Sequence, residues 1–280
     1  MTDRVPSFSE RLALRQELWW GRQRLRDAVH RLRERRFRRT REDPDEVWRC
    51  CRFWPRVVCN KRNGREFAAK HGLAVPALYW SGTDGSRLPL EELPAHFVVR
   101  PIYGGSQRGV LVVADGQDLL RQQAFSAAAL PRLRERGKAI PFLVEEFVRT
   151  EAGRYELPLE CKFHVFGETV AAVQVVERTG VKAGAQRYYT PEWEPFPDAM
   201  NLRLPQAEIR DPPGCLAEML ELARRFGAEF GTYMRLDLFA TDRGGVYNEF
   251  GGVPHQAAAF TPYCDERFGR LWAERIPDAT

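Results

Sequence analysis

The sequence predicts an α+β fold, with layers of antiparallel sheet and helix preceded by a basic helical extension. Three observations carry that expectation. Apolar strands of period two come in pairs joined by short polar or glycine-bearing turns, as in LECKFHVFGETVAAVQVVER (159–178) and TYMRLDLFATDRGGVYNEFGG (232–252). Helical stretches fall between these hairpins, which argues against a single doubly wound parallel sheet. Basic residues crowd the start: positions 1–42 hold 13 Arg and no Lys against 6 Asp plus Glu, a local net charge of +7 in a chain whose net is +5.

From Arg11 to Phe37, Leu14, Leu18, Leu25, Val29 and Leu32 recur at helical steps, with Ser9 positioned to cap the start. With Trp19 and Trp20, this arm (1–45) could lie on an anionic membrane surface or a polyanion. It could equally pack on the main domain and keep a solvated basic face. Asp43-Pro44 marks a break, and 46–94 reads as a helical linking region. Within it, Glu46–Trp54 and Asn60–Leu73 are expected helices, the second ending at Gly72. Leu73–Trp80 is an expected short strand around Pro76, with a turn at Thr83–Ser86. A first subdomain (95–150) contains strands His96–Pro101 and Val110–Ala114, a helix over Asp118–Arg136 and a strand over Pro141–Val148. A second (151–280) contains the hairpin turning at Gly167-Glu168, a helix over Cys215–Phe230 and a closing hairpin turning at Asp242–Gly245.

Composition narrows the class. Apolar residues make up 44% and charged residues 29%, as in soluble globular proteins. No apolar run approaches the roughly 20 residues that span a bilayer, and the first residues lack the apolar stretch of a secretory signal. The expected compartment is the cytoplasm, with peripheral contact to the inner membrane face open through the arm. Six cysteines without a CxxC pair support neither zinc nor a redox motif. Beyond the arm the chain is slightly acidic, which disfavours nucleic acid as a partner.

Two constellations could carry chemistry. In FVVRPIYGGSQRGVLVV a strand ending at Arg100 runs into a loop with Gly104, Gly105, Ser106 and Gly109. Glycines let backbone amides approach a phosphate, and Arg100 adds a fixed positive charge. In the last hairpin, Asp237 and Glu249 lie on paired strands and could converge on one Mg²⁺, with Arg235 on the same face by period two. By the same period Asn248 should face the opposite side from Glu249. Glu145 and Glu146 end an apolar strand, and Glu160 and Lys162 share one strand face, where they could simply pair.

In order, these elements resemble the ATP-grasp fold, two α+β subdomains sandwiching ATP, over roughly Asn60 to Trp272. The KFHVFGETV hairpin, the following ER, RYYTPEW (187–193) and FTPYCDERFG resemble the teichuronopeptide and polysaccharide-biosynthesis (TupA-like) branch. The R-x-D of Arg235–Asp237 also resembles the D-alanine–D-alanine ligases. The resemblance implies ATP and Mg²⁺ as cofactors. It puts Arg100 in the place of the family's phosphate-binding lysine and Gly104, Gly105, Ser106 and Gly109 in its phosphate loop. It puts Glu145, Glu146, Phe147 and Val148 along adenine, Glu160 and Lys162 toward the nucleotide, and Asp237 and Glu249 on magnesium. Gly251 stands where many members carry an Asn ligand.

The reaction so implied is carboxylate–amine ligation through an acyl phosphate, in cell-surface polymer or natural-product biosynthesis. Arg100, Arg235 and Arg178 would serve the transferring phosphoryl group and the acceptor, a small molecule, glycan or peptide bearing a carboxylate; Arg187 is a further candidate for gripping it. The alternatives are a kinase acting on a sugar or glycan hydroxyl, with His164, His255 or Asp265 as base, and a nucleotide- or polyanion-binding protein without turnover. Tyr188, Tyr189 and Trp193 could line the acceptor site or pack.

Overall fold

A computed structural model describes residues 6–13, 38–49, 54–103, 107, 109–127, 130, 134–135, 138–139, 141–254 and 259–276. Most of the Arg-rich arm therefore lies outside the described residues, as do Gly104, Gly105, Ser106 and His255. At its start, residues 8–13 are helical, and Ser7 rather than Ser9 caps them. The Glu10 N–H donates to Ser7 Oγ (3.2 Å) and the Ser7 N–H to Glu10 Oε2 (2.7 Å), a reciprocal capping box. Ser9 instead donates its hydroxyl to Asp265 Oδ1 at 2.7 Å.

A short helix at Asp45–Trp48 replaces the longer one expected over Glu46–Trp54, and a 3₁₀ segment follows at Trp54–Cys59. Helix α1 (Lys61–Lys70) begins where the Asn60 side chain accepts the Asn63 N–H, at 2.9 Å. It stops at Gly72, which takes a left-handed φ of 75°. Its Gly64 is a contact requirement: a Cβ there would lie 2.0 Å from Tyr247 Oη and 2.6 Å from the Val58 carbonyl. The helix can thus lie close against the closing hairpin.

The first sheet is antiparallel and has six strands: β1 (Leu78–Gly82), β2 (His96–Pro101), β3 (Leu111–Ala114), β4 (Gln117–Asp118), β5 (Gln123–Ala124) and, beyond the small hairpin β6 (Arg134–Glu135) and β7 (Lys138–Ala139), β8 (Phe142–Glu146). Their spatial order is β1-β8-β2-β3-β4-β5. Phe97, Val99, Leu111, Val113, Phe142 and Val144 bury one face with Leu88 and Leu130. The other face carries Val98, Val112 and Ala114 against Phe147 and Leu120.

The helix expected over Asp118–Arg136 is not formed among the described residues. Leu120 packs on one face of this sheet, while Phe125 and Leu130 pack on the other. The chain therefore wraps around the sheet edge, which a straight helix could not do. Gln122 turns at a φ of 53°, and the Asp118 carboxylate accepts the Leu120 N–H at 3.1 Å in place of a helical bond.

The second sheet has five strands: β9 (Leu159–Phe166), β10 (Thr169–Gly180), β11 (Ala183–Tyr189), β12 (Tyr233–Thr241) and β13 (Gly244–Gly251), in the order β11-β10-β9-β12-β13. Helix α2 (Leu216–Phe230) covers one face, burying Met219, Ala223 and Phe226 against Phe163, Val175, Leu236 and Phe250. Helix α3 (Pro262–Arg275) covers part of the other face through Phe268 and Trp272, which meet Phe166, Tyr233 and Phe8. Tyr189 and Trp193 stack at 4.3 Å within the first of these clusters, so packing occupies them. No helix among the described residues is long and apolar enough to cross a membrane.

Candidate functional site

Beside α3, on the same face of the second sheet, the period of two lines up charged residues instead of apolar ones. On β9, Cys161, Phe163 and Val165 enter the core, so Glu160 and Lys162 face away from α2. On β12, Leu236 and Leu238 enter the core and Arg235 and Asp237 face away. On the first sheet, Arg100 of β2 and Glu145 of β8 emerge beside the same region, and α1 adds Lys61 and Arg65 four residues apart.

Together they form one connected network. Arg65 Nε lies 3.1 Å and Arg100 Nη1 3.5 Å from Glu145. Arg100 Nη2 donates to Asn248 Oδ1 (2.7 Å) and to the Asn248 carbonyl (3.1 Å), while Asn248 Nδ2 donates to Glu160 Oε1 (2.7 Å). Glu160 also takes Lys162 Nζ at 2.6 Å and Arg178 Nη2 at 3.2 Å. Lys162 continues to Asp237 Oδ2 at 2.7 Å, and Arg235 grips Asp237 with two donors at 2.6 and 2.7 Å. Arg235 Nη2 reaches Glu249 Oε1 at 3.1 Å, and Lys61 Nζ lies 3.8 Å from Glu249 Oε2.

Burial this deep is costly for a lone charge and tolerable only when each is paired. Burial raises the Glu160 carboxyl, but Lys162 and Arg178 outweigh it and leave that group at about 2. Burial acts the same way on Glu249, and Lys61 and Arg235 again prevail, holding it below its ordinary value. Burial works against the Arg235 cation, yet Asp237 more than compensates and keeps it protonated. Lys61 is pushed down, chiefly by burial. Among the described residues, six cations (Lys61, Arg65, Arg100, Lys162, Arg178 and Arg235) face four carboxylates (Glu145, Glu160, Asp237 and Glu249), and a flanking pair, Glu66 at 4.0 Å from Arg65 and Arg41 at 3.1 Å from Glu66, leaves the balance unchanged. The formal surplus of two positive charges is suited to an anionic ligand.

A model of the TupA-like ATP-grasp family matches residues 60–273. The chain belongs to the TupA-like ATP-grasp family. No curated protein matches the sequence. Among solved structures, D-alanine–D-alanine ligase from Bacillus anthracis complexed with ATP is similar at a TM-score of 0.50 and 16% identity, over 79% of this chain and 67% of that one. The same ligase in a second structure gives 0.50 and 16%, over 79% and 68%. D-alanine–D-alanine ligase from Helicobacter pylori gives 0.47 and 17%, and there the chain spans 62% of the ligase. At such identities the two likenesses at 0.50 speak to the fold alone.

Within this TupA-like ATP-grasp chain, Arg100, Glu145, Glu160, Lys162, Arg178, Arg235, Asp237 and Glu249 are brought together in the network. Gly109 has a left-handed φ of 75°, and nearby Gln107 Oε1 accepts the Lys182 N–H at 3.2 Å, tying this loop to the β10–β11 turn. Phe147 and Val148 are buried, Phe147 against Leu120 and against Val112 and Ala114 of the first sheet, and Glu146 points outward to Arg243 at 2.7 Å. Arg187 stands apart, its Nε donating to the Ala207 carbonyl at 2.6 Å. Tyr188 is buried against Asn201. His164 is buried and bonded to Tyr233 Oη at 2.9 Å, and Asp265 holds Ser9.

One expectation is overturned. Asn248 faces the network, not away from it. The β12–β13 ladder pairs Asp237 with Glu249 but Leu238 with Tyr247, so Asn248 is an extra residue in β13. This bulge puts Asn248 and Glu249 on one face while Tyr247 and Phe250 both enter the core. Sequence reading also missed Lys61 and Arg65, because a basic helical face ordinarily points to solvent. Gly251 lies opposite Arg235, whose guanidinium carbon would be in ordinary contact, at 3.4 Å, with a Cβ placed there, so the arginine flanks the position where many members carry an Asn.

The donor set can be tested against magnesium. Asp237 is fully enclosed, whereas the Glu249 side chain is 30% exposed. Among the described residues no group of three or more His, Cys, Asp or Glu could hold a metal by itself. A cation here would need phosphate and water oxygens to complete its sphere, which is how Mg²⁺ is usually held beside a nucleotide.

Proposed function

We propose that this chain is a Mg-ATP-dependent ligase that joins a carboxylate to an amine by way of an acyl phosphate. The observation that supports it best is the buried network with a surplus of two positive charges between the two sheets of an ATP-grasp fold. Glu249, the exposed carboxylate of the network, would hold the metal, which would neutralise charge on the phosphates; Asp237 would join it only where the bound nucleotide draws Arg235 and Lys162 away from its oxygens. Arg100, Lys162 and the loop around Gly109 would hold the phosphates, and Arg235 and Arg178 would steady the transferring group and the acceptor's carboxylate. Phe147 and Val148 would border adenine. Enclosure between the sheets would keep water from the reactive intermediate.

The acceptor would be a small molecule, peptide or glycan, in cell-surface polymer or natural-product biosynthesis. Of the bases considered for the kinase reading, His164 is bonded to Tyr233 and Asp265 to Ser9, while His255 lies outside the described residues. To test the ligase reading, the protein is incubated with Mg-ATP, a panel of carboxylates and hydroxylamine. Hydroxamate appearing with equal ADP and phosphate is the expected result. Phosphate retained on the acceptor in a hydroxylamine-stable form would instead make the protein a kinase.

A further inference from the structure

The bulge in β13 lets one side chain bridge the two sheets. Asn248 is 6% exposed, and its amide uses both ends. The oxygen accepts from Arg100 of the first sheet and the nitrogen donates to Glu160 of the second, each at 2.7 Å. Its own carbonyl takes the same Arg100 nitrogen at 3.1 Å. A residue one position earlier or later in a regular strand would face the core, so the extra residue is what makes the bridge available.

We propose that Asn248 is a positioning residue for the nucleotide's phosphates. It fixes the Arg100 guanidinium and orients Glu160, and through Glu160 the Lys162 ammonium, so that both cations present to one ligand. The proposal rests on the Mg-ATP reading above. Only a neutral side chain with a donor and an acceptor can serve both partners. A carboxylate would face Glu160, an ammonium would face Arg100, and an apolar group would leave both unmet. The Oδ1 atom is engaged by Arg100, which makes Asn248 an organiser of charge rather than a magnesium ligand.

The test is a double-mutant cycle on the full chain, read by calorimetric titration with Mg-AMPPNP. Asn248→Ala is expected to weaken binding about tenfold or more, as expected for losing a bond to a charged group. Arg100→Ala should weaken it further, and the double variant should lose clearly less than the product of the two single losses, since part of the effect of Asn248 runs through Arg100 and only the remainder through Glu160 and Lys162. The magnesium concentration giving half-maximal binding should be unchanged in Asn248→Ala. Should Asn248→Ala fail to fold, Asn248→Ser replaces it in the same cycle, since a hydroxyl is too short to span both partners. Wild-type affinity in the Asn248 variant, or losses that simply multiply, would overturn the positioning role. A shifted magnesium requirement would overturn it in favour of a metal ligand. If wild type itself binds no Mg-AMPPNP, the nucleotide reading falls and the proposal falls with it.

Discussion

Asp237 is the most completely enclosed carboxylate of the network, with a side chain 0% exposed that receives two bonds from Arg235 and one from Lys162. In Asp237→Asn the shape is kept and the charge lost, and the new NH₂ must face a guanidinium or an ammonium. The formal surplus of the network rises from two to three. Removing one partner of a buried pair costs about 3–5 kcal/mol. With about 2–4 °C of Tm per kcal/mol for a domain approaching this size, the expected fall is on the order of 10 °C. Glu266→Gln is the matched control: it breaks the pair with Arg270, where both side chains are about two-thirds exposed (68% and 65%). That loss should stay below about 1 kcal/mol. Urea unfolding of both variants, compared at constant m, measures the difference. Equal small losses in the two would refute the claim that Asp237 is locked in a dry network.

Gly64→Ala should destabilise by about 1–3 kcal/mol by overpacking, because its Cβ meets Tyr247 Oη and the Val58 carbonyl; thermal unfolding reads this out. Arg100→Lys keeps the charge but loses the forked geometry that serves Glu145 and Asn248 together, so nucleotide affinity should fall about tenfold with little change in Tm. Glu160, held at about 2 in the fold against an ordinary 4.5, adds stability that is present above the ordinary value and lost as pH falls toward the folded one. The sum at stake is on the order of 3 kcal/mol, and Glu160→Gln should flatten the stability profile between roughly pH 5 and 2.

The hairpins and α2 were legible because their periodicity, turns and caps agree with their burial. Strand β2 appears over the residues expected, and β9–β10 turns at Gly167 as read. The segment after Asp118 misled because its composition favours a helix, while Leu120 and Leu130 must reach opposite sheet faces. Of the network, the strand residues could be placed by alternation, and alternation failed at one position. A single inserted residue turned Asn248 inward, and nothing in YNEF announces a bulge. Lys61 and Arg65 depend on how closely α1 approaches β13, a tertiary fact that follows from Gly64 and Tyr247, which are distant in sequence.

The central claim is that the surplus of buried positive charge between the two sheets receives Mg-ATP. Thermal unfolding of wild type and Arg100→Ala, with and without millimolar Mg-ATP, tests it most directly. At 100 times Kd the ligand should add about 2.7 kcal/mol to wild type, a rise of several degrees that depends on magnesium and is diminished in the variant. An unchanged Tm in wild type at millimolar Mg-ATP, or an equal rise in both proteins, would contradict it.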